Sequence, residues 1–176
     1  LIECQQFHGL PVTGQLDEAT IESLQGLRFC SQPDRMVTAE LRRTPTAAWL
    51  YRGSLPTVSD DDACKAIQES FDRWSRVAPI TGHEAQAGEQ VDLQIAVAKL
   101  DGRNGVLADC ELPGPAMQHM RLDGAESYTV TLPPNIPGGR IGLGNVLTHE
   151  LGHAWGLNHI SSGNLMAPVY SSMIAD

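Results

Sequence analysis

Hydrophobic positions along this chain change period several times, and each change marks an element. Over residues 15–27, Ile21, Leu24 and Leu27 recur at helical spacing behind Asp17, which predicts a helix opened near that carboxylate. Residues 35–46 carry several arginines and turn formers without a strong pattern, and read as an exposed segment open to proteolysis. Residues 47–51 read as a first strand. Asp60-Asp61-Asp62 then opens a strongly amphipathic helix, with Ala63, Ile67, Ser70, Phe71, Trp74 and Val77 along one face. Residues 91–97 alternate as a half-buried strand does, and 105–110 and 128–132 read as further strands. This succession predicts an α+β domain, a mixed sheet packed against helices.

One helical segment carries chemistry. His149-Glu150-Leu151-Gly152-His153 puts two imidazoles one turn apart on the same face, where both can reach one metal ion. Glu150 sits beside the first of them, placed to hold and deprotonate a metal-activated water without taking a coordination position. Gly156 supplies a backbone that tolerates positive φ, so the helix can end there and swing His159 back as a third ligand. Three protein ligands leave one position open, the mark of a catalytic zinc rather than a structural one.

These residues resemble the metzincin metallopeptidases, whose signature is this extended histidine motif followed by a methionine-containing turn. Met166, in Leu165-Met166-Ala167-Pro168-Val169-Tyr170, fits that turn, and Pro168-Val169-Tyr170 looks most like the matrixins. The resemblance implies a metzincin-like catalytic domain over residues 44–176, preceded by a propeptide remnant over 1–43 that is similar to the end of a small peptidoglycan-binding-like helical domain. It implies a methionine underlying the metal and a specificity pocket walled by Pro168, Val169 and Tyr170, with Asn145 one turn before His149. An apolar residue after the cleaved bond is expected there. Substrate would lie extended along the strand at 105–110, contacting Leu107 and Ala108. Matrixin catalytic domains also continue into a further helix, which this chain, stopping at Asp176, is expected to lack.

Cys30-Ser31-Gln32-Pro33-Asp34 keeps the Cys-x-x-Pro-Asp frame of the matrixin cysteine switch, although Arg28-Phe29 and Ser31 replace the usual flanking residues. In that reading Cys30 is a zinc ligand in a latent form, since a thiol beside a metal ionises readily and would exclude the catalytic water. The competing reading is a structural or disulfide cysteine. If Cys30 serves the metal, Cys4, Cys64 and Cys110 remain, and Cys64 with Cys110 is the expected pair because both fall in the catalytic domain.

The resemblance speaks against the family's second, structural zinc: the loop that would carry its ligands is shortened to Ala98-Lys99-Leu100, and Asp109 and Arg121 stand where two further histidines align. His8, His83 and His119 read as surface histidines. Calcium fares better, because Asp101-Gly102-Arg103-Asn104-Gly105-Val106 resembles the family's carbonyl-rich calcium loop. Ligands would come from Asp101, Gly102, Asn104, Val106, Asp123 and Glu126. One catalytic Zn(2+), with Ca(2+) beside it, is the expected cofactor set.

Composition narrows the setting. A net charge of −9 and a sequence pI near 5.0 argue against nucleic acid or an anionic membrane as partner. No apolar run reaches the length of a membrane span. The chain of 176 residues begins at Leu1, as a processed or trimmed piece would. The expectation is a secreted, monomeric, extracellular endopeptidase in latent form, acting on protein or peptide substrates and released by an activating protease. A cell-wall binding module and a metal-binding pseudoenzyme are the rival classes; the first leaves the histidine motif unexplained, the second is disfavoured by Glu150.

Overall fold

The structure, a computed structural model, describes residues 2, 5, 11–18, 20–21, 29–30, 45–131, 135, 139–160 and 164–170. In chain order its elements are β1 (Phe29–Cys30), β2 (Thr46–Arg52), α1 (Asp60–Ser75), β3 (Thr81–Glu84), β4 (Leu93–Ala98), β5 (Val106–Cys110), β6 (Gln118–Asp123), β7 (Tyr128–Thr129), β8 (Ile141–Gly142) and α2 (Leu143–Ala154). Six strands form one sheet in the order β1-β5-β6-β4-β2-β3, and β7 pairs with β8 in a small second sheet. The contacts β2–β3, β2–β4 and β4–β6 are parallel, whereas β5 runs against β6. This is the α+β arrangement expected.

α1 begins where its sequence provides for an N-terminus. The Ser59 side chain accepts from the Asp62 amide, and Asp60, Asp61 and Asp62 place negative charge where unpaired amides favour it. The helix buries Ala63, Ala66, Ile67, Ser70 and Phe71. Phe71 meets Trp155 edge-to-face at 5.7 Å between ring centroids. Val77 departs from the expected face: α1 stops at Ser75 with Arg76 as its C-cap, and Val77 is 79% exposed.

α1 and the sheet together fix α2. Ser70 Oγ donates to Gly144 O at 3.3 Å and Trp74 Nε1 to Thr148 O at 2.8 Å, while from β6 the buried Gln118 Nε2 donates to Ala154 O at 3.0 Å. Side-chain donors thus grip carbonyls along α2, and a bond of this kind in a dry interior is costly to break.

Four strands, β1, β3, β6 and β8, go beyond the sequence expectation, and the strand expected over 128–132 is only the two residues of β7 among the described ones. Cys64, on α1, and Cys110, at the end of β5, are thiols and not a disulfide, which corrects the expected pairing. In the N-terminal segment Asp17 caps a helical turn, with Oδ1 accepting from the Thr20 amide at 2.9 Å, as its position suggested. Leu24, Leu27, Cys4, His8, residues 31–44 and the end of the chain lie outside the described residues.

Candidate metal centre and cleft

α2 is buried on nearly every side, and its functional residues are buried with it: His149, Glu150 and His153 are 7%, 1% and 1% exposed. The helix ends in a reciprocal pair of bonds, Leu157 N to Gly152 O at 2.9 Å and Gly156 N to His153 O at 2.8 Å, with Gly156 at φ 92°. That turn returns His159 to the helix face. His153 Nε2 then lies 3.0 Å from His149 Nε2 and 3.2 Å from His159 Nε2.

The opposite ring nitrogens are held by backbone. His149 Nδ1 meets Leu165 O at 2.7 Å, and His153 Nδ1 meets Leu157 O at 2.7 Å. A carbonyl can only accept, so each Nδ1 carries the proton and each Nε2 presents a lone pair. Burial pushes His149 down from 6.5 to about 3, and its histidine neighbours push the same way. Neutral, oriented imidazoles are what a metal requires.

The fourth donor comes from far along the chain. Cys30 Sγ and one nitrogen each from His149, His153 and His159 all lie within 4.8 Å of one another. Among the described residues no other group of three or more His, Cys, Asp or Glu converges in this way. Cys30 also donates to Glu150 Oε2 at 3.6 Å. Burial pushes Glu150 up to about 8, partly offset by that bond from the thiol. The donor set, three nitrogens and one sulfur with the second nitrogens of two rings already bonded, fits a tetrahedral zinc.

Beside these donors lies a half-open cavity lined by Leu107 of β5, by Asn145 and Val146 of α2, and by Leu165 and 167–170, with Cys30, His149 and Glu150. The expected pocket residues Asn145, Pro168, Val169 and Tyr170 therefore line one space with Leu107, one of the two expected strand contacts, whereas Ala108 does not. Ala108 is fully buried and pairs instead with Cys30, because β1 lies alongside β5 in parallel, Phe29 opposite Val106 and Cys30 opposite Ala108. The Cys30 amide donates to Pro168 O at 3.0 Å. The strand expected to receive substrate is thus covered in this chain by its own β1. Met166, 5% exposed, packs against Gly152 of α2, under the histidine-bearing turn.

The remaining expected ligands divide. Asp123, fully buried, accepts through Oδ2 from the amides of Asp101 and Gly102, and Glu126 Oε1 accepts from the Asn104 amide, with Asn104 at φ 62°. Asp101 itself accepts from the Val106 amide. Glu126 Oε2 is buried without a hydrogen-bond partner. On the open face of the sheet, Asp109 and Arg121 are cross-strand partners and form a two-point ion pair, Nε to Oδ1 at 2.9 Å and Nη2 to Oδ2. Residues that sequence reasoning missed are backbone ones, the carbonyls of Leu157 and Leu165, and Tyr128, whose hydroxyl donates to Leu107 O at 2.6 Å.

A histidine triad on a buried helix and the turn after it, a methionine packed beneath and a cleft along a sheet strand define a metzincin-type metallopeptidase domain. Comparison with known proteins narrows the class. The matrixin family model matches residues 42–176. Human matrix metalloproteinase-16 is 31% identical over 206 residues, spanning 100% of this chain and 33% of the relative. Rat macrophage metalloelastase and pig interstitial collagenase are each 34% identical over 188 residues, spanning 97% of this chain and 38% of each relative. The chain belongs to the matrixin family, whose catalytic ion is zinc. It spans about a third of the length of the curated relatives it matches. Among the described residues, no helix is long and apolar enough to cross a membrane.

Proposed function

We propose that this chain is the latent form of a secreted, zinc-dependent endopeptidase that hydrolyses peptide bonds of extracellular proteins. The observation that carries the reading is the convergence of Cys30 Sγ with the nitrogens of His149, His153 and His159 within 4.8 Å. The three histidines would hold the ion throughout, and Cys30 would complete the set only while residues 1–43 remain attached. Bound zinc would supply Lewis acidity, lowering the pKa of water and polarising a carbonyl.

The chain's own residues do the rest. Glu150 takes a proton from water and delivers it to the leaving amine, the work of a general base. The substrate backbone replaces β1 beside Leu107 and Ala108, and the cavity bounded by Asn145 and Pro168 to Tyr170 receives the side chain after the cleaved bond. Cleavage within residues 35–46 by an activating protease releases Cys30. The family match opening at residue 42 supports a catalytic unit over 44–176. The relatives' names, a matrix metalloproteinase and an interstitial collagenase, support an extracellular protein substrate.

Calcium belongs to the same proposal. The orphaned, buried Glu126 Oε2, with the Asp101 and Asp123 carboxylates in the adjoining loop, supports a Ca²⁺ site completed by carbonyls of Gly102, Asn104 and Val106. The test of the main reading is metal content with peptide hydrolysis, before and after cleavage within residues 35–46. One zinc per chain and activity only after cleavage are expected; a cleaved, zinc-loaded chain that hydrolyses no peptide would overturn the reading.

A further inference from the structure

The cleft is one extended strand wide, and both its walls are tied to one small element. β1 lies between those walls, in register with β5 on one side and bonded to Pro168 O on the other. From β7, the Tyr128 hydroxyl donates to Leu107 O at 2.6 Å; from β8, the Gly142 amide donates to the Tyr170 hydroxyl at 2.7 Å. The two strands are joined in register, Tyr128 opposite Ile141 and Thr129 opposite Gly142. An unbroken path of hydrogen bonds therefore runs from Leu107, on one wall of the cavity, to Tyr170, on the other.

Tyr128 is the least dispensable link. It is fully buried, and burial beside Glu126 and Asp123 keeps its phenol protonated, hence a donor at any working pH. Its own carbonyl accepts from Thr57 Oγ1 at 2.8 Å, which anchors the residue from α1's side of the sequence. Leu107 is 3% exposed, so β5 cannot drift from Tyr128 without leaving a carbonyl unpaired in a dry interior. Two residues upstream, Glu126 accepts from Asn104 in the loop that leads into β5, so the same short segment holds that strand and its approach.

Resting on the peptidase reading above, we propose that Tyr128 is a positioning residue that sets the separation of β5 from residues 164–170, and so the size of substrate side chain the cavity admits. Phenylalanine would fill the same volume without the bond to Leu107. In the chain activated by cleavage within residues 35–46, two peptides differing only in leucine or tryptophan after the cleaved bond report the width. The parent enzyme should prefer leucine, and Tyr128→Phe should shrink the kcat/KM ratio by about tenfold, mainly through a lower KM for the tryptophan peptide, with zinc content unchanged.

A second readout needs no activity. In the intact chain, Tyr128→Phe should speed amide hydrogen exchange over 106–110 and 165–170 while α1 stays protected. An unchanged ratio, or faster exchange confined to the neighbourhood of residue 128, would overturn the assignment. A parent enzyme that cleaves neither peptide would instead count against the peptidase reading, and the exchange measurement would still decide whether Tyr128 couples the walls.

Discussion

Cys30 Sγ lies 3.6 Å from Glu150 Oε2 and donates to it, from a strand 120 positions away in sequence. The same sulfur stands within 4.8 Å of the ligand nitrogens of three histidines. One side chain thus faces both the metal donors and the carboxylate assigned to proton transfer. The main chain around it fills the cleft as a strand, held by β5 and by Pro168 O. Under the proposed function, latency would have two parts in this geometry, a sulfur ligand and a strand in the place of substrate.

The two parts separate experimentally. Cys30→Ala removes the ligand and leaves the strand, so the uncleaved variant should hydrolyse a fluorogenic peptide measurably, yet more slowly than the cleaved parent. Metal-edge X-ray absorption should show a sulfur at about 2.3 Å from zinc in the parent and none in the variant. An uncleaved variant as inert as the parent would mean that the strand alone blocks the cleft.

Glu150→Gln should lower kcat of the cleaved chain by about 10²–10⁴-fold, the usual worth of a general base. Glu150 is not among the converging donors, so the variant should still bind one zinc per chain. Metal analysis after dialysis checks this, and loss of the zinc would reassign Glu150 to coordination.

How much of this was legible in the sequence depends on how local the cause is. His149 and His153 converge because helical geometry is regular, and His159 joins them because Gly156 takes φ 92° where glycine was anticipated. α1 was readable from Asp60-Asp61-Asp62 and its apolar stripe. β6 was not, since Gln118 to Asp123 interleaves polar and apolar residues whose burial is decided by β4 and β5 on either side. Nor were the carbonyls of Leu157 and Leu165, because a backbone oxygen leaves no mark in sequence. The bond from Tyr128 to Leu107 joins residues 21 positions apart through tertiary packing alone.

The metal-free chain should show a stability plateau between pH 4.5 and 6.5. Burial lowers His149 from 6.5 to about 3, so between those values the unfolded state holds more protons and stability rises with pH. Burial raises Glu150 from 4.5 to about 8, so over that range the folded state holds more protons and stability falls with pH. The two oppose each other where they overlap. Urea midpoints of chelator-treated protein should therefore drop below pH 4.5 and again from pH 6.5 to 8, and Glu150→Gln should remove the second drop.

Millimolar calcium should raise the melting temperature of chelator-treated protein by roughly 5–10 °C, the expected effect of a ligand at about 100 times its Kd on a chain of this size. Glu126→Gln should abolish the rise, because it neutralises the carboxylate whose buried Oε2 has no hydrogen-bond partner. An equal rise in parent and variant would place the calcium elsewhere.

Gly152→Ala tests the packing beneath the histidines. In an exposed helix the change would gain about 1 kcal/mol. Here a β-carbon would fall on Met166 Sδ and Cε and close to Trp74 Cζ2. Trp74 is fixed by its bond to Thr148 O, so Met166 must move. Met166 follows Leu165, whose carbonyl orients His149, and its movement should disturb the metal centre as well as the core. Overpacking costs about 1–3 kcal/mol, so the variant should be less stable by up to about 2 kcal/mol and should bind zinc more weakly. Adding Met166→Ala makes room for the new methyl group, so the second substitution should cost less in the Gly152→Ala background than in the parent. Independent, additive losses of stability and zinc affinity would show that Gly152 and Met166 are not coupled.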